Sequence, residues 1–174
     1  MDQMTIKWTN NGHQGQMCLN MRTCFPCSAS WLRKLLRTTV DRCDNPEAIR
    51  AELVIYLNEL YDEATSASRR GELLGKITAC GIASGLAKAE IERLTSMEKA
   101  QSSYVKSFVK RSDKENVYRK QLESTREQIK EQKKAYRSEI AKASAARRAI
   151  DKMDRDEKNI RECLALLGQE GVKI

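Results

Sequence analysis

The chain has 174 residues, of which 5% are aromatic and 32% charged, and 32 Lys and Arg against 24 Asp and Glu give it a formal net charge of +8. That length suits one ordinary domain or a small domain with a helical extension, and so few aromatic residues fit a thin-cored helical protein better than a compact enzyme. With a polar N-terminus and no apolar run near the ~18 residues of a membrane span, the chain reads as cytoplasmic, with no signal peptide and no membrane partner.

Met4 to Leu19 reads as a β-hairpin. A two-residue turn at Asn11-Gly12 pairs Trp8 with Gly15, Ile6 with Met17 and Met4 with Leu19. This register puts Met4, Ile6, Trp8, Met17 and Leu19 on one face and Thr5, Lys7, Thr9, Gln14, Gln16 and Cys18 on the other. A lone hairpin is marginal in water, so its apolar face needs a helix to cover it.

Ser28 or Ser30 can cap that helix, which runs through Trp31, Leu32, Leu35, Leu36, Val40 and Cys43 with Arg33, Lys34, Arg37 and Arg42 on its other side. Asp44-Asn45 then supplies a cap and Pro46 the first position of a second helix, with Ile49, Leu53, Tyr56, Leu57, Leu60 and Tyr61 as its apolar stripe. No proline follows Pro46. The next break falls at Thr65 to Gly71, where short polar residues compete for backbone hydrogen bonds. A third helix follows, anchored by Leu73, Leu74, Ile77, Ile91, Leu94 and Met97. Within it Gly81 and Gly85 stand one turn apart, a spacing that predicts close approach of a second helix; no Gly-Lys-Ser/Thr follows that would make a phosphate loop.

From Tyr104 to Leu167 apolar residues recur at alternating steps of three and four. With Ile129 at heptad position a, the a positions are Phe108, Leu122, Ile129, Tyr136, Ala143, Ile150 and Leu164, and the d positions are Tyr104, Tyr118, Thr125, Ala146, Met153, Ile160 and Leu167. Arg111, Glu115, Gln132, Glu139 and Glu157 also fall on this seam. The pattern leaves two readings open, a coiled coil and a solvated helix packed locally on its neighbours. Ser112 with Glu115 forms a capping box that can restart the helix, while the heptad frame runs through it. Gly168 ends the pattern, and 169–174 reads as a flexible tail.

The expected architecture is mainly α: a β-hairpin and two-helix module over 1–66, then a long helical hairpin or coiled-coil arm over 67–168. A continuous helix over 104–167 would be about 96 Å long, and the segment 69–100 covers only half of it. A partner chain is therefore expected, a homodimer or a heterologous protein, on a seam of Leu122, Ile129, Tyr136, Ile150, Met153, Ile160 and Leu164.

Catalysis has little to stand on. The single histidine, His13, sits beside a turn, with no serine or cysteine constellation tied to it. The six cysteines lack a secretory context. Cys24-Phe25-Pro26-Cys27 is the sharpest local motif, and three readings of it stand. The thiols fill the core around a turn; or they clasp a structural zinc with Cys18 and Cys43, or His13; or they are redox-active, with a helix N-terminus lowering a thiol pKa. No other cofactor is expected, nor any small-molecule substrate.

The charge is uneven. Residues 101–150 carry 14 basic and 6 acidic side chains, an excess equal to that of the whole chain. Arg119, Arg126, Lys130, Lys133 and Arg137 advance by seven, four, three and four, which keeps them on one side of a helix, and Lys142, Arg147 and Arg148 prolong the field. Such a row can follow a phosphate backbone with little base readout. The leading expectation is a non-enzymatic binding protein that engages nucleic acid or a nucleic-acid-bearing complex through Arg119, Arg126, Lys130, Lys133, Arg137, Arg147 and Arg148. Two alternatives stand beside it. One is a phage or mobile-element inhibitor of a host nucleoprotein enzyme, anti-CRISPR-like in kind; the other is a coiled-coil scaffold or adaptor.

Overall fold

The computed structural model describes residues 3–10, 13–107 and 113–169. The fold is mainly α. Strands β1 (Gln3–Asn10) and β2 (His13–Asn20) lead into α1 (Met21–Cys24), α2 (Ala29–Thr38), a 3-10 turn at Val40–Arg42, α3 (Pro46–Thr65), α4 (Ala67–Ser107) and α5 (Asp113–Gln169). No helix among the described residues is long and apolar enough to cross a membrane. The chain divides into two compact units, one of residues 1–70 with 150–174 and one of residues 71–149.

In the first unit β1 and β2 pair antiparallel with the register read from the sequence, Met4 opposite Leu19, Ile6 opposite Met17 and Trp8 opposite Gly15. The turn residues Asn11 and Gly12 lie outside the described residues. Met4, Ile6 and Leu19 are buried, whereas Thr5, Lys7, Thr9, Gln14, Gln16 and Cys18 are exposed. Gly15 lies under the Trp8 ring: a Cβ there would be 2.4 Å from the indole, so any larger residue would displace it. Ser28 caps α2 by accepting the Trp31 N–H, and Leu32, Leu35 and Leu36 are buried beneath it. Trp31, expected on that stripe, is exposed and meets Phe25 edge-on at 5.7 Å.

Asn45 caps α3, with Pro46 at its first turn. Asp44 has a different partner from the helix cap expected of it. Its N–H donates to the Lys7 carbonyl, and its carboxylate accepts from the N–H and hydroxyl of Thr9 at 2.8 and 3.2 Å, fastening the loop to the edge of β1. Ser66 separates α3 from α4 and caps the latter through the Arg69 N–H, so the break falls at Ser66 and Gly71 continues the helix.

The core of this unit takes in the end of α5. Ile160, Cys163, Leu166 and Leu167 are buried in one cluster with Met4, Ile6, Leu32, Leu36, Leu53 and Leu57. Arg161 donates to the Tyr61 hydroxyl and pairs with Glu157, and Arg70 pairs with Asp154 at 2.6 Å. The expected boundary at residue 66 is thus displaced. Residues 150–168, read as the end of an arm, belong here because the hairpin and short helices need their apolar surface for cover. Beyond Gln169 the expected tail lies outside the described residues.

In the second unit α4 and α5 run antiparallel. The Tyr104 and Tyr118 rings stack at 5.9 Å, Arg126 Nε lies 2.8 Å from Glu98 Oε1, and Cys80 lies close enough to Glu139 to act on its charge. Of the two readings left open, a continuous helix over 104–167 and a restart, the structure has two helices: Tyr104 belongs to α4 and Tyr118 to α5. Phe108, Arg111 and the Ser112 cap lie outside the described residues, as does the Glu115 side chain. Helix α4 also passes unbroken through Gln101-Ser102-Ser103. It faces α5 with Ile77, Cys80, Ser84, Ala87, Ile91 and Leu94, all buried or half-buried. Leu74 and Met97, expected as anchors, are exposed.

The expected close approach at Gly81 and Gly85 is not made within the chain. Both glycines are exposed, and a Cβ on either would meet nothing within 4 Å, because Cys80, Ser84 and Ala87 occupy the phase that faces α5.

Two expectations follow for stability. Ile160→Ala empties a fully buried position and should cost about 2–5 kcal/mol in urea unfolding, whereas Leu86→Ala, at a position 69% exposed, should change it by less than ~0.5 kcal/mol. Gly81→Ala and Gly85→Ala, at open mid-helix positions, should each raise stability by about 0.5–1 kcal/mol on the same measurement.

Candidate functional site

Where α5 belongs to the second unit, its heptad frame separates a packed seam from a basic flank. Leu122, Thr125, Ile129 and Ala146 are buried, and Tyr118, Gln132, Tyr136, Glu139 and Ala143 half-buried, so the a and d positions face inward. In the first unit Met153, Ile160 and Leu167 are buried, and Ile150 and Leu164 half-buried. The seam expected to call for a second chain is therefore packed within this one. The inference from a half-length cover is corrected by the reach of α4 to Ser107 and by the core that receives Ile160 and Leu164.

Next to the seam, the e and b positions from Arg119 to Arg147 hold Arg119, Arg126, Lys130, Lys133, Arg137 and Arg147, with Glu123 as the single acid. Residues seven apart on this flank are about 10.5 Å apart along the helix. All six cations are exposed, as is Arg148 one position further round. They differ in what holds them. Arg126 is engaged by Glu98 of α4, and Lys130 by Glu127 at 2.6 Å. Lys133, Arg137, Arg147 and Arg148 make no ion pair among the described residues. Lys142 sits elsewhere, bound to Glu139 at 2.6 Å. It holds the Glu139 carboxyl below the usual carboxylate range, and the Cys80 thiol adds to this. Burial pushes the Cys80 thiol up.

Glu98 was invisible to the charge count, since it lies outside the basic segment in sequence and reaches Arg126 only because the helices run antiparallel. The net field of the flank is consequently concentrated on Lys133-Lys134, Arg137 and Arg147-Arg148.

The zinc reading of Cys18, Cys24, Cys27 and Cys43 does not fit. Cys18 is on the exposed face of the hairpin, its Sγ 3.7 Å from the Thr5 hydroxyl, while Cys43 is buried. Among the described residues no three His, Cys, Asp or Glu side chains come together in a way that could hold a metal ion. Nor is the Cys27 thiol lowered by the helix that follows. A hydrogen bond with Cys163, together with burial, pushes it up. Cys163 is the residue that sequence reasoning missed, 136 positions from its neighbour and without a local motif. His13 is exposed at the start of β2.

No family model matches the chain, and neither a curated protein nor a solved structure shows significant similarity to it.

Proposed function

We propose that this is a non-enzymatic protein that binds nucleic acid, free or within a nucleoprotein, along the basic flank of α5. The observation that carries the reading is that Lys133, Arg137, Arg147 and Arg148 are exposed, share one stretch of a helix whose seam is already packed, and make no ion pair among the described residues. Cations with no internal acid keep their full field for a polyanion, and counterion release from phosphates then drives association. Helical spacing sets the charges along a line, which suits backbone contact more than the reading of bases. A coiled-coil scaffold is the less favoured reading, because the apolar seam it would use is occupied within the chain.

The test is a salt titration of binding to generic labelled DNA and RNA. Affinity should fall steeply with salt. Changing Lys133, Arg137, Arg147 and Arg148 together to Gln should reduce the logarithmic salt slope by about 3 and weaken binding at least ~10-fold at low salt, with helicity unchanged. Absence of binding at low salt, or binding indifferent to salt, refutes the proposal. Glu98→Gln, which releases Arg126, should tighten binding by roughly 2- to 3-fold in the same assay.

A further inference from the structure

Between Asp2 and Asp41 the sequence holds no acidic residue, while Lys7, Arg22, Arg33, Lys34 and Arg37 all fall there. Three of these cations are on α2, where burial of Leu32, Leu35 and Leu36 fixes the phase of the helix and turns Ser30, Arg33, Lys34 and Arg37 outward. Arg33, Lys34 and Arg37 are exposed and make no ion pair among the described residues. Trp31 stands at the margin of the same face, three residues before Lys34. It keeps 37% of its surface in solvent, while Phe25 braces it edge-on at 5.7 Å. The core does not account for this tryptophan, since Leu32 and Leu36 already fill the space beneath α2.

We propose that this face of α2 is a second nucleic-acid contact, selective for single strands, in which Arg33, Lys34 and Arg37 hold phosphates and the Trp31 indole stacks on an unpaired base. Its residues all lie in the first unit and are separate from the α5 flank, so the inference does not rest on that reading. Cations fix a phosphate backbone without regard to sequence, and positions 33 and 37 are one helical turn, about 6 Å, apart along the axis. The exposed part of the indole, braced by Phe25, is a platform for a base that a duplex would keep stacked inside. An anionic membrane surface suits this face less, because a helix lying among lipid headgroups inserts its apolar side, and that side of α2 is buried in the core.

The experiment uses the full chain with Lys133, Arg137, Arg147 and Arg148 changed to Gln, so that binding through α5 is already weakened, and titrates it with a labelled oligothymidylate at low salt. Binding should persist, quench tryptophan emission and be at least ~5-fold tighter than to a duplex of equal length. Adding Arg33→Gln, Lys34→Gln and Arg37→Gln should lower the logarithmic salt slope by about 2, the share of three single-strand phosphates. Trp31→Ala should weaken oligothymidylate binding at least ~5-fold and duplex binding less than ~2-fold, with helicity unchanged. Trp31→Phe, which keeps a ring, should hold affinity within ~3-fold and remove the quenching, leaving the Trp8 emission as it was. Equal loss of single-strand and duplex affinity in Trp31→Ala overturns the proposal, as does a salt slope indifferent to the three α2 substitutions, or quenching produced only by phosphatidylserine vesicles. If the α5 substitutions alone abolish binding, this inference fails and the α5 reading stands; binding indifferent to them but lost with the α2 substitutions does the reverse.

Discussion

The constraint on which both units depend is that the apolar row of α5, repeating every 3.5 residues, must be kept from water along its whole length. Two different surfaces satisfy it. From Leu122 to Ala146 the cover is α4, a 41-residue helix with no proline and its own inward row at the same period. From Ile160 to Leu167 the cover is the assembled hairpin, α2 and α3. A helix of this kind is stable in water through tertiary packing of its apolar face more than through intrinsic propensity, so each unit needs its share of α5.

Polar groups on the seam are accommodated by the helices' own backbones. The Ser84 hydroxyl donates to the Gly81 carbonyl at 2.9 Å and that of Thr125 to the Gln121 carbonyl at 3.0 Å, so neither buried oxygen lacks a partner. Glu139 is half-buried and keeps its charge through Lys142 and the Cys80 thiol. These residues interrupt an ideal heptad pattern and would weaken a uniform zipper. In an antiparallel hairpin each needs only a local answer, and each has one. The basic flank is a by-product of the same geometry: once the seam is committed, the e and b positions are left to solvent, and Glu98 reaches across to discharge Arg126.

Around the hairpin the fold relies on a few polar ties placed where the apolar core ends. Asp44 fastens the loop after the 3-10 turn to Lys7 and Thr9, and Arg161 couples α5 to Tyr61 of α3. Cys163 donates to the Cys27 carbonyl on the same boundary, the first buried and the second half-exposed.

The hairpin register, a serine cap at Ser28 or Ser30, a cap within Asp44-Asn45, a break between Thr65 and Gly71 and the inward phase of α5 were legible in the sequence, because each rests on contacts between near neighbours or on a period that survives any choice of partner; the structure selected Ser28, Asn45 and Ser66. The basic flank was legible as a row of residues for the same reason. What covers α5 was not, since a heptad pattern states that a face must be buried and is silent on what buries it. Nor could local spacing show that Gly81 and Gly85 point away from α5, that Glu98 neutralises Arg126, or that Cys27 meets Cys163. Those facts depend on reversal of the chain between α4 and α5, which brings residues 28 to 136 positions apart into contact. Periodicity determined the faces of this protein, and only the tertiary structure decided which of them are spent inside the chain and which remain for something else.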